Sequence, residues 1–418
     1  MKIFRSSKYP WVVVALLWVV ALLNYMDRQM LSTMKPSMQI DIPELQTAEN
    51  FGILMAIFLW IYGLMSPVAG MIADRVNRKW LITISLFVWS GVTLAMGYAN
   101  TFNQLYWLRA IMGVSEALYI PAGLSLIADH HGSKTRSLAI GIHMTGLYMG
   151  QALGGFGATI AAAFSWHIAF RSFGLIGILY AVVLMVFLRE KRSGNDEGSV
   201  SVDALKGPAS PWYKGLALLF TNISFWIILF YFAAPSLPGW GVKNWLPTLF
   251  AETLKIDMSQ AGPLSTITIA VSSFFGVIIG GILSDRWVQK NLRGRIYTSA
   301  IGLALTIPAL LFVGYGFALW HVVGAAFCFG FGFGMFDANN MPILCQFVAP
   351  RHRATAYGLM NMTGVFAGAF ITNLLGKSTD AGNLGRDFAM MSAIVLVALV
   401  IQLTWLRPRT TDLVTDEK

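Results

Sequence analysis

The sequence predicts an all-α membrane protein with twelve transmembrane helices in two six-helix bundles. Three observations carry that prediction. Of 418 residues, 56% are hydrophobic and only 12% charged, with a mean hydropathy of +0.62; a soluble protein of this length carries roughly 25% charged residues. Apolar runs of about 18–25 residues, each long enough to cross a bilayer as a helix, recur from end to end. Motifs in the first six runs also return in the last six at a nearly constant offset.

The predicted spans are 11–33, 52–72, 79–98, 103–128, 137–162, 168–188, 215–242, 262–283, 296–316, 318–345, 354–376 and 387–406. The first run, WVVVALLWVVALL, is followed by "NYMDRQM" at 24–30 and not by a small-residue cleavage site, so it is read as span 1 and not as a signal peptide. The formal net charge of +10 would favour nucleic acid in a soluble protein, but the placement of the charges argues otherwise. With the N-terminus inside, the cytoplasmic segments hold 22 of the 30 basic residues. The outer loops hold six: Lys35, Arg171, Lys243, Lys255, Lys377 and Arg386. Such a bias puts both termini in the cytoplasm. The basic charge is thus a topology signal, and no nucleic-acid partner is expected. Arg28 and Arg109 are left inside spans. Cys328 and Cys345 fall on one predicted helix about 25 Å apart, too far for a disulfide.

The stretch REKRSGNDEGSVSVDALKGPASP is the only long polar segment between spans. It divides the chain into a first bundle (1–190), a cytoplasmic linker (191–212) and a second bundle with a short tail (213–418). Gly70-x-x-x-Asp74-Arg75 recurs as Gly281-x-x-x-Asp285-Arg286, 211 residues on. Gly113-x-x-Glu116-Ala117-x-x-x-Pro121 recurs as Gly334-x-x-Asp337-Ala338-x-x-x-Pro342, 221 on. Arg136-x-x-Ala139-x-Gly141 recurs as Arg353-x-x-Ala356-x-Gly358, 217 on. Three motifs in order, in corresponding spans, mark an internal repeat. Two repeated bundles place a transport site between the halves near the midplane.

GMIADRVNRK (70–79) resembles the loop signature of the major facilitator superfamily, with Asn77 where glycine is usual; GGILSDRWVQKNLRGR (280–295) resembles its second-half copy. "NYMDRQM" with LRAIMGVSEALYIP (108–121) resembles the anion:cation symporter branch, which includes sialin-like and sugar-acid:proton symporters. The resemblance implies the major facilitator fold, an arginine in span 1 for the anion, and acids in spans 1 and 4 for proton coupling. Tyr62 and Asn361 match cavity positions in related sugar-acid symporters. Leu147 stands where some of these have a cavity glutamine.

An ionisable residue inside a span costs several kcal/mol unless paired or hydrated, which makes each a functional candidate. At 1.5 Å per residue, Asp27 and Arg28 sit roughly 7–9 Å to the outer side of the midplane, and Arg109 shares their depth. Glu116 lies close to the midplane, seven residues from Arg109 and on the same helix face. Arg28 is expected to bind the substrate carboxylate with its guanidinium fork, Asp27 to pair with Arg109 in the empty or occluded site, and Glu116 to carry the proton. The competing reading is a purely structural network of Asp27, Arg28 and Arg109. Asp337 copies Glu116 and is either a second proton site or a polar contact for Asn339 and Asn340. Tyr62, Tyr148, Gln151 and Asn361 are expected to line the substrate site, against the alternative of interhelical hydrogen bonds. His143 is read as packing; Asp129, His130 and His131 are read as a solvated rim and not as a metal site. Asp74, Arg75, Arg78, Asp285 and Arg286, at cytoplasmic helix ends, are expected to gate.

The function so predicted is proton-coupled uptake of an organic anion, most simply a sugar acid such as a hexuronate, hexonate or sialic acid. Alternatives are a sugar-phosphate exchanger, a drug or metabolite exporter, or a non-transporting membrane sensor. Span 5 lacks the proline of the exporter motif G-P-x-x-G-G, having Gly150-Gln151-x-x-Gly154-Gly155. No nucleophile–base constellation, metal-ligand spacing or phosphate-binding loop appears, so no enzyme activity, no ATP drive and no cofactor are expected, only the proton as coupling ion. The expected partners are a small anion and the lipid bilayer, the expected state is a monomer, and the expected location is a bacterial inner membrane.

Overall fold

The computed structural model describes residues 8–73, 76–131, 135–190, 219–316, 318–348 and 353–408. Among the described residues the chain is helical, with one 3-10 turn at Pro43–Gln46 and no strand. Spans 1, 2 and 3 are α1 (Tyr9–Asp41), α2 (Ala48–Ala73) and α3 (Arg78–Met96). Span 4 is α4 (Phe102–Ala117) plus α5 (Tyr119–His130), span 5 is α6 (Arg136–Gly154) plus α7 (Gly157–Ala163), and span 6 is α8 (Trp166–Phe187). Spans 7, 8 and 9 are α9 (Ile223–Leu254), α10 (Met258–Val288) and α11 (Gly294–Tyr315). Span 10 is α12 (Leu319–Asp337) plus α13 (Asn340–Cys345), and spans 11 and 12 are α14 (Arg353–Asp380) and α15 (Leu384–Trp405).

Eleven helical stretches among the described residues are long and apolar enough to cross a membrane. Span 5 is the exception. It is interrupted at Gly155 and Phe156, and α6 carries the polar side chains of His143, Thr145, Tyr148 and Gln151. Large apolar side chains stand exposed around the outside, among them Phe87, Ile111, Leu179, Phe312 and Val400. An apolar belt of that extent is a lipid-facing surface. The expected linker, 191–212, lies outside the described residues.

The repeat is visible in the breaks. Pro121 and Pro342 are each the third residue of a second helical piece, α5 and α13. A proline there has no N–H to donate back and clashes with the preceding turn, so spans 4 and 10 break at the same repeat position. The packing repeats as well: span 1 lies on span 5, span 2 on span 4 and span 3 on span 6, as span 7 lies on span 11, span 8 on span 10 and span 9 on span 12.

Two helices run further than expected. Span 1 continues to Asp41 through Pro36, so Lys35 is in the helix and not in a loop. Span 7 continues to Leu254, where Lys255 in a left-handed conformation (φ 52°) ends it. Lys243, assigned above to an outer loop, is therefore inside α9. The polar cluster Lys243-Asn244 does not end the helix because its groups find partners within the protein. Asn244 Nδ2 donates to Thr372 Oγ1 at 2.8 Å, and Trp245 Nε1 donates to the Thr372 carbonyl at 2.9 Å.

Spans 2 and 11 pack on each other along most of their length across the halves, and a further set of hydrogen bonds joins the halves at the membrane end away from the termini. The N–H groups of Ala48 and Glu49, opening α2, donate to Asp380 at the end of α14 at 2.7 and 2.8 Å. Thr159 Oγ1 donates to the Ser259 carbonyl at 2.8 Å, and Gln29 Nε2 to the Lys243 carbonyl at 2.9 Å. Tyr357, nearer the termini on α14, is 43% exposed although it lies in the field of Tyr25, Tyr62 and Asp337. A residue surrounded by interior groups yet reached by solvent lines a cleft. That cleft opens toward the side of the termini and is closed at the far end.

Candidate functional site

Helix α1 sends consecutive side chains in different directions, about 100° apart. Asp27 goes to span 3, Arg28 to spans 2 and 4, and Gln29 to span 7. Arg28 Nε donates to Glu116 Oε2 at 2.5 Å, a charge-assisted bond between spans 1 and 4. The Glu116 side chain is fully buried and that of Arg28 is 11% exposed. Three rings surround the guanidinium, with centroids at 4.6 Å (Tyr62), 4.8 Å (Phe58) and 5.2 Å (Tyr25). Arg28 Nη2 and Glu116 Oε1 are buried without hydrogen-bond partners. The pair thus neutralises itself, and among the described residues its remaining donor and acceptor have only Tyr62 and Asn24 near them.

The repeat motif explains how Glu116 gets there. A side chain on Gly113 would come within 2.7 Å of the Phe58 carbonyl, so only glycine lets span 4 lie this close to span 2, next to Phe58 and Tyr62. Gly334 does the same in the second half, where a Cβ would meet the Ser273 carbonyl at 2.4 Å.

The expected Asp27–Arg109 ion pair is not formed. Asp27, 5% exposed, accepts a hydrogen bond from Thr93 Oγ1 at 3.3 Å. Arg109, 3% exposed, lays its guanidinium over the Phe58 ring at 4.5 Å and donates from Nη1 to Met112 Sδ at 3.2 Å. Equal depth brought these residues level, but their directions around the helix axes differ. Arg109 lies within electrostatic reach of Glu116, and the Asn24 amide lies beside the Glu116 carboxylate. Among the described residues the ion pair within the spans is Arg28–Glu116, which sequence depth alone did not pair.

In the second half, Asp337 accepts from Asn340 Nδ2 at 3.1 Å. It is exposed and lies within electrostatic reach of Lys243, Tyr25, Tyr148 and Tyr357. It therefore faces the cleft from across the interface. Gln151 lines a recess of about 10 Å³ between the halves with Gln29, Lys243, Ser265 and Thr266, room for about one water. The Tyr148 ring meets Phe274 edge-on at 6.2 Å. Asn361 Nδ2 donates to Ser66 Oγ at 3.0 Å, joining spans 11 and 2. The structure thus brings together Arg28, Tyr62, Glu116, Tyr148, Gln151 and Asp337 around one interface. Asn361 is engaged in an interhelical bond across it.

Sequence reasoning passed over Lys243, Tyr25, Phe58 and Tyr357. Lys243 had a signal: it follows Arg28 by 215 residues, inside the 211–221 range of the repeated motifs.

Of the expected gate residues, Asp74 and Arg75 lie outside the described residues. Arg78, opening α3, pairs with Asp129 at the end of span 4, within one half. Asp285 and Arg286 are exposed at the end of α10. His143 is fully buried with its ring 6.0 Å from that of Tyr119. His131 contacts Thr135 Oγ1 and the Pro10 carbonyl, both at 3.2 Å, so it does not converge with Asp129. Among the described residues no group of three His, Cys, Asp or Glu could hold a metal.

Comparison with known proteins accords with this architecture. The chain is 23% identical to the hexuronate transporter of Bacillus subtilis, over 97% of this chain and 96% of that protein. It is 25% identical to the sphingosine-1-phosphate transporter SPNS2 of Mus musculus, over 93% and 74%. Its fold superposes with a TM-score of 0.79, at 19% identity, on a bacterial homologue of the human lysosomal transporter Spinster in an inward-facing, unoccupied conformation, covering 95% of this chain and 97% of that one. The hexuronate relative is consistent with the anion:cation symporter branch, and these relatives are transporters and not enzymes. The profile of the Major Facilitator Superfamily matches residues 17–372; the chain is a multi-pass integral membrane transporter and belongs to that superfamily.

Proposed function

We propose that the protein moves an organic anion, a sugar acid in the leading reading, together with a proton, by alternating exposure of the cleft between its halves. The observation that carries this reading is the Arg28–Glu116 pair at 2.5 Å, with Arg28 partly open to the cleft and Glu116 fully buried. An incoming carboxylate competes with Glu116 for Arg28. When it takes the guanidinium fork, Glu116 is left as an uncompensated buried charge, a state destabilised by several kcal/mol. Taking up a proton removes that charge. Anion binding and proton binding are then one linked event: each favours the other by the same factor. Tyr25, Phe58 and Tyr62 hold the guanidinium between their rings at the edge of the cleft.

Support comes also from the likeness to a hexuronate transporter. A second reading, a phosphate monoester with an apolar tail, is favoured by the equally distant likeness to SPNS2, since a guanidinium takes phosphate as readily as carboxylate. With both termini cytoplasmic, in a bacterial inner membrane, the cleft faces inward and uptake is the direction proposed. The protein acts as a monomer.

The test is ligand stabilisation of purified protein, because a ligand that binds only the native state raises its melting temperature. Hexuronates, hexonates, sialic acid, sugar phosphates, sphingosine 1-phosphate and neutral sugars are screened against wild type and Arg28→Ala. Sugar acids should stabilise wild type and not the variant. Equal stabilisation of both proteins by neutral sugars would make Arg28 structural and the anion reading wrong. Glu116→Gln should abolish gradient-driven uptake and preserve exchange of substrate across the membrane.

A further inference from the structure

We propose, on the organic-anion reading above, that Lys243 is a second cationic pole of the site, and that the substrate is a polyhydroxy acid with a carboxylate at each end. The repeat is the first argument. Arg28 on span 1 pairs with Glu116 on span 4; Lys243 on span 7 and Asp337 on span 10 occupy the corresponding places in the second half. Each half therefore offers the cleft one cation and one acid.

Geometry is the second argument. Gln29, the neighbour of Arg28, donates to the Lys243 carbonyl at 2.9 Å, so the backbone of Lys243 lies against span 1 across the interface between the halves. Lys243 lines the recess shared with Gln29, Gln151 and Thr266. Its Nζ lies 4.9 Å from the centroid of the Trp240 ring. Arg28 is within its electrostatic reach.

Lys243 and Asp337 also lack the contact that closes the first-half pair. The first-half pair is closed at 2.5 Å, but among the described residues no carboxylate lies within ion-pair distance of Lys243. Asp337 is exposed and held only by Asn340. Were Lys243 and Asp337 merely neutralising each other, they would touch as Arg28 and Glu116 do. Instead Lys243 keeps its ammonium donors, and Arg28 keeps a buried Nη2 without a partner. Two cations with donors to spare, one from each half, fit an anionic group at each end of one molecule. Asp337 and the tyrosine hydroxyls of Tyr25, Tyr148 and Tyr357 suit the hydroxyls between.

The experiment measures binding to the full chain in detergent, by thermal shift and equilibrium competition. The probes are galactarate, galacturonate and galactonate, which share a carbon skeleton and differ in having two, one and one carboxylates. Wild type should bind the diacid at least tenfold more tightly than either monoacid. Lys243→Gln should reduce the diacid to the affinity of the monoacids and leave the monoacids within about twofold. Lys243→Arg should retain the preference. Equal affinity of wild type for all three acids overturns the second pole and leaves the anion site standing. The second pole is likewise overturned if Lys243→Gln weakens every acid alike, or if a sugar phosphate outcompetes the diacid. Loss of Arg28 should remove all three; if none of them binds wild type, the anion reading itself fails. Should Lys243→Gln not fold, the wild-type ranking and Lys243→Arg still decide.

Discussion

Asp380 is expected to hold the far end of the cleft shut. It stands at the end of span 11, in the second half, and its carboxylate accepts from two N–H groups at the start of span 2, in the first half: Ala48 at 2.7 Å and Glu49 at 2.8 Å. These are the orphan donors of a helix N-terminus, where an anion is also favoured by the helix dipole. Asp380 thus works as a capping residue supplied by the other half. Replacing a capping Asp by Ala costs about 0.5–2 kcal/mol. The Ala48 bond is partly buried and the Glu49 bond exposed, so a loss of about 1–2 kcal/mol is reasonable for Asp380→Ala, or roughly a 5- to 30-fold shift in a two-state equilibrium. The nearby Lys377–Glu49 pair, at 3.2 Å with side chains 56% and 45% exposed, gives the control, because exposed pairs contribute about 0–1 kcal/mol.

The assay is a distance measurement between spin labels in lipid nanodiscs. Ile40, 78% exposed at the far end of span 1, and Glu252, exposed near the end of span 7, are replaced by cysteine after Cys328 and Cys345 are changed to serine. Asp380→Ala should enlarge the long-distance population several-fold, Asp380→Asn less, and Lys377→Ala hardly at all. An unchanged distance distribution in Asp380→Ala would refute the reasoning, since the contact exists only while the far end is closed.

Gly113→Ala should lower thermal stability by about 1–3 kcal/mol through overpacking against the Phe58 carbonyl at 2.7 Å, while Gly91→Ala, with open space around its Cβ, should be neutral or gain up to about 1 kcal/mol; chemical denaturation in detergent compares them. Asn361→Leu should slow transport with little loss of ligand affinity, because it removes the 3.0 Å bond to Ser66 between the halves; an affinity loss as large as that of Arg28→Ala would instead put Asn361 on the substrate. Thr93→Val should weaken proton-driven uptake by less than tenfold, since it deletes only the 3.3 Å bond to Asp27, and pH-dependent uptake in proteoliposomes measures it.

The sequence revealed what depends on one axis. Hydropathy located the spans, the offsets exposed the repeat, and the rise per residue put Arg28, Arg109 and Glu116 at usable depths. What it could not supply was direction around each helix. Asp27 and Arg109 share a depth, yet one turns to Thr93 and the other to the ring of Phe58. Lys243 was lost for a different reason. A polar cluster at the end of an apolar run reads as a boundary, and only the tertiary partners of Asn244 and Trp245 keep it inside the membrane. Asp380 left no trace either, because a cap supplied from another helix has no spacing to its partner.

The acids and bases around the cleft are equal in number, and that count bears on energy coupling on the proposed mechanism. Asp27, Glu116 and Asp337 offset Arg28, Arg109 and Lys243, so with all six ionised the empty site carries no formal charge. Moving one net charge through a membrane potential is worth about 2.3 kcal/mol per 100 mV, which the empty carrier therefore escapes on its return. A bound monoanion makes the site negative unless one proton enters with it; a dianion needs two. On the proposed symport Glu116 takes the first, because an arriving carboxylate would displace it from Arg28. On the same proposal Asp337, open to the cleft and within electrostatic reach of Lys243 without touching it, takes the second. Electrogenicity follows from this count. Uptake of a diacid with two protons should produce no current in proteoliposomes, and Asp337→Asn should turn that uptake into a movement of net negative charge, slowed by an inside-negative potential. If the variant stays insensitive to the potential, the second proton is carried elsewhere, and the symmetry of the two cation–acid pairs is a relic of the repeat and not part of the coupling.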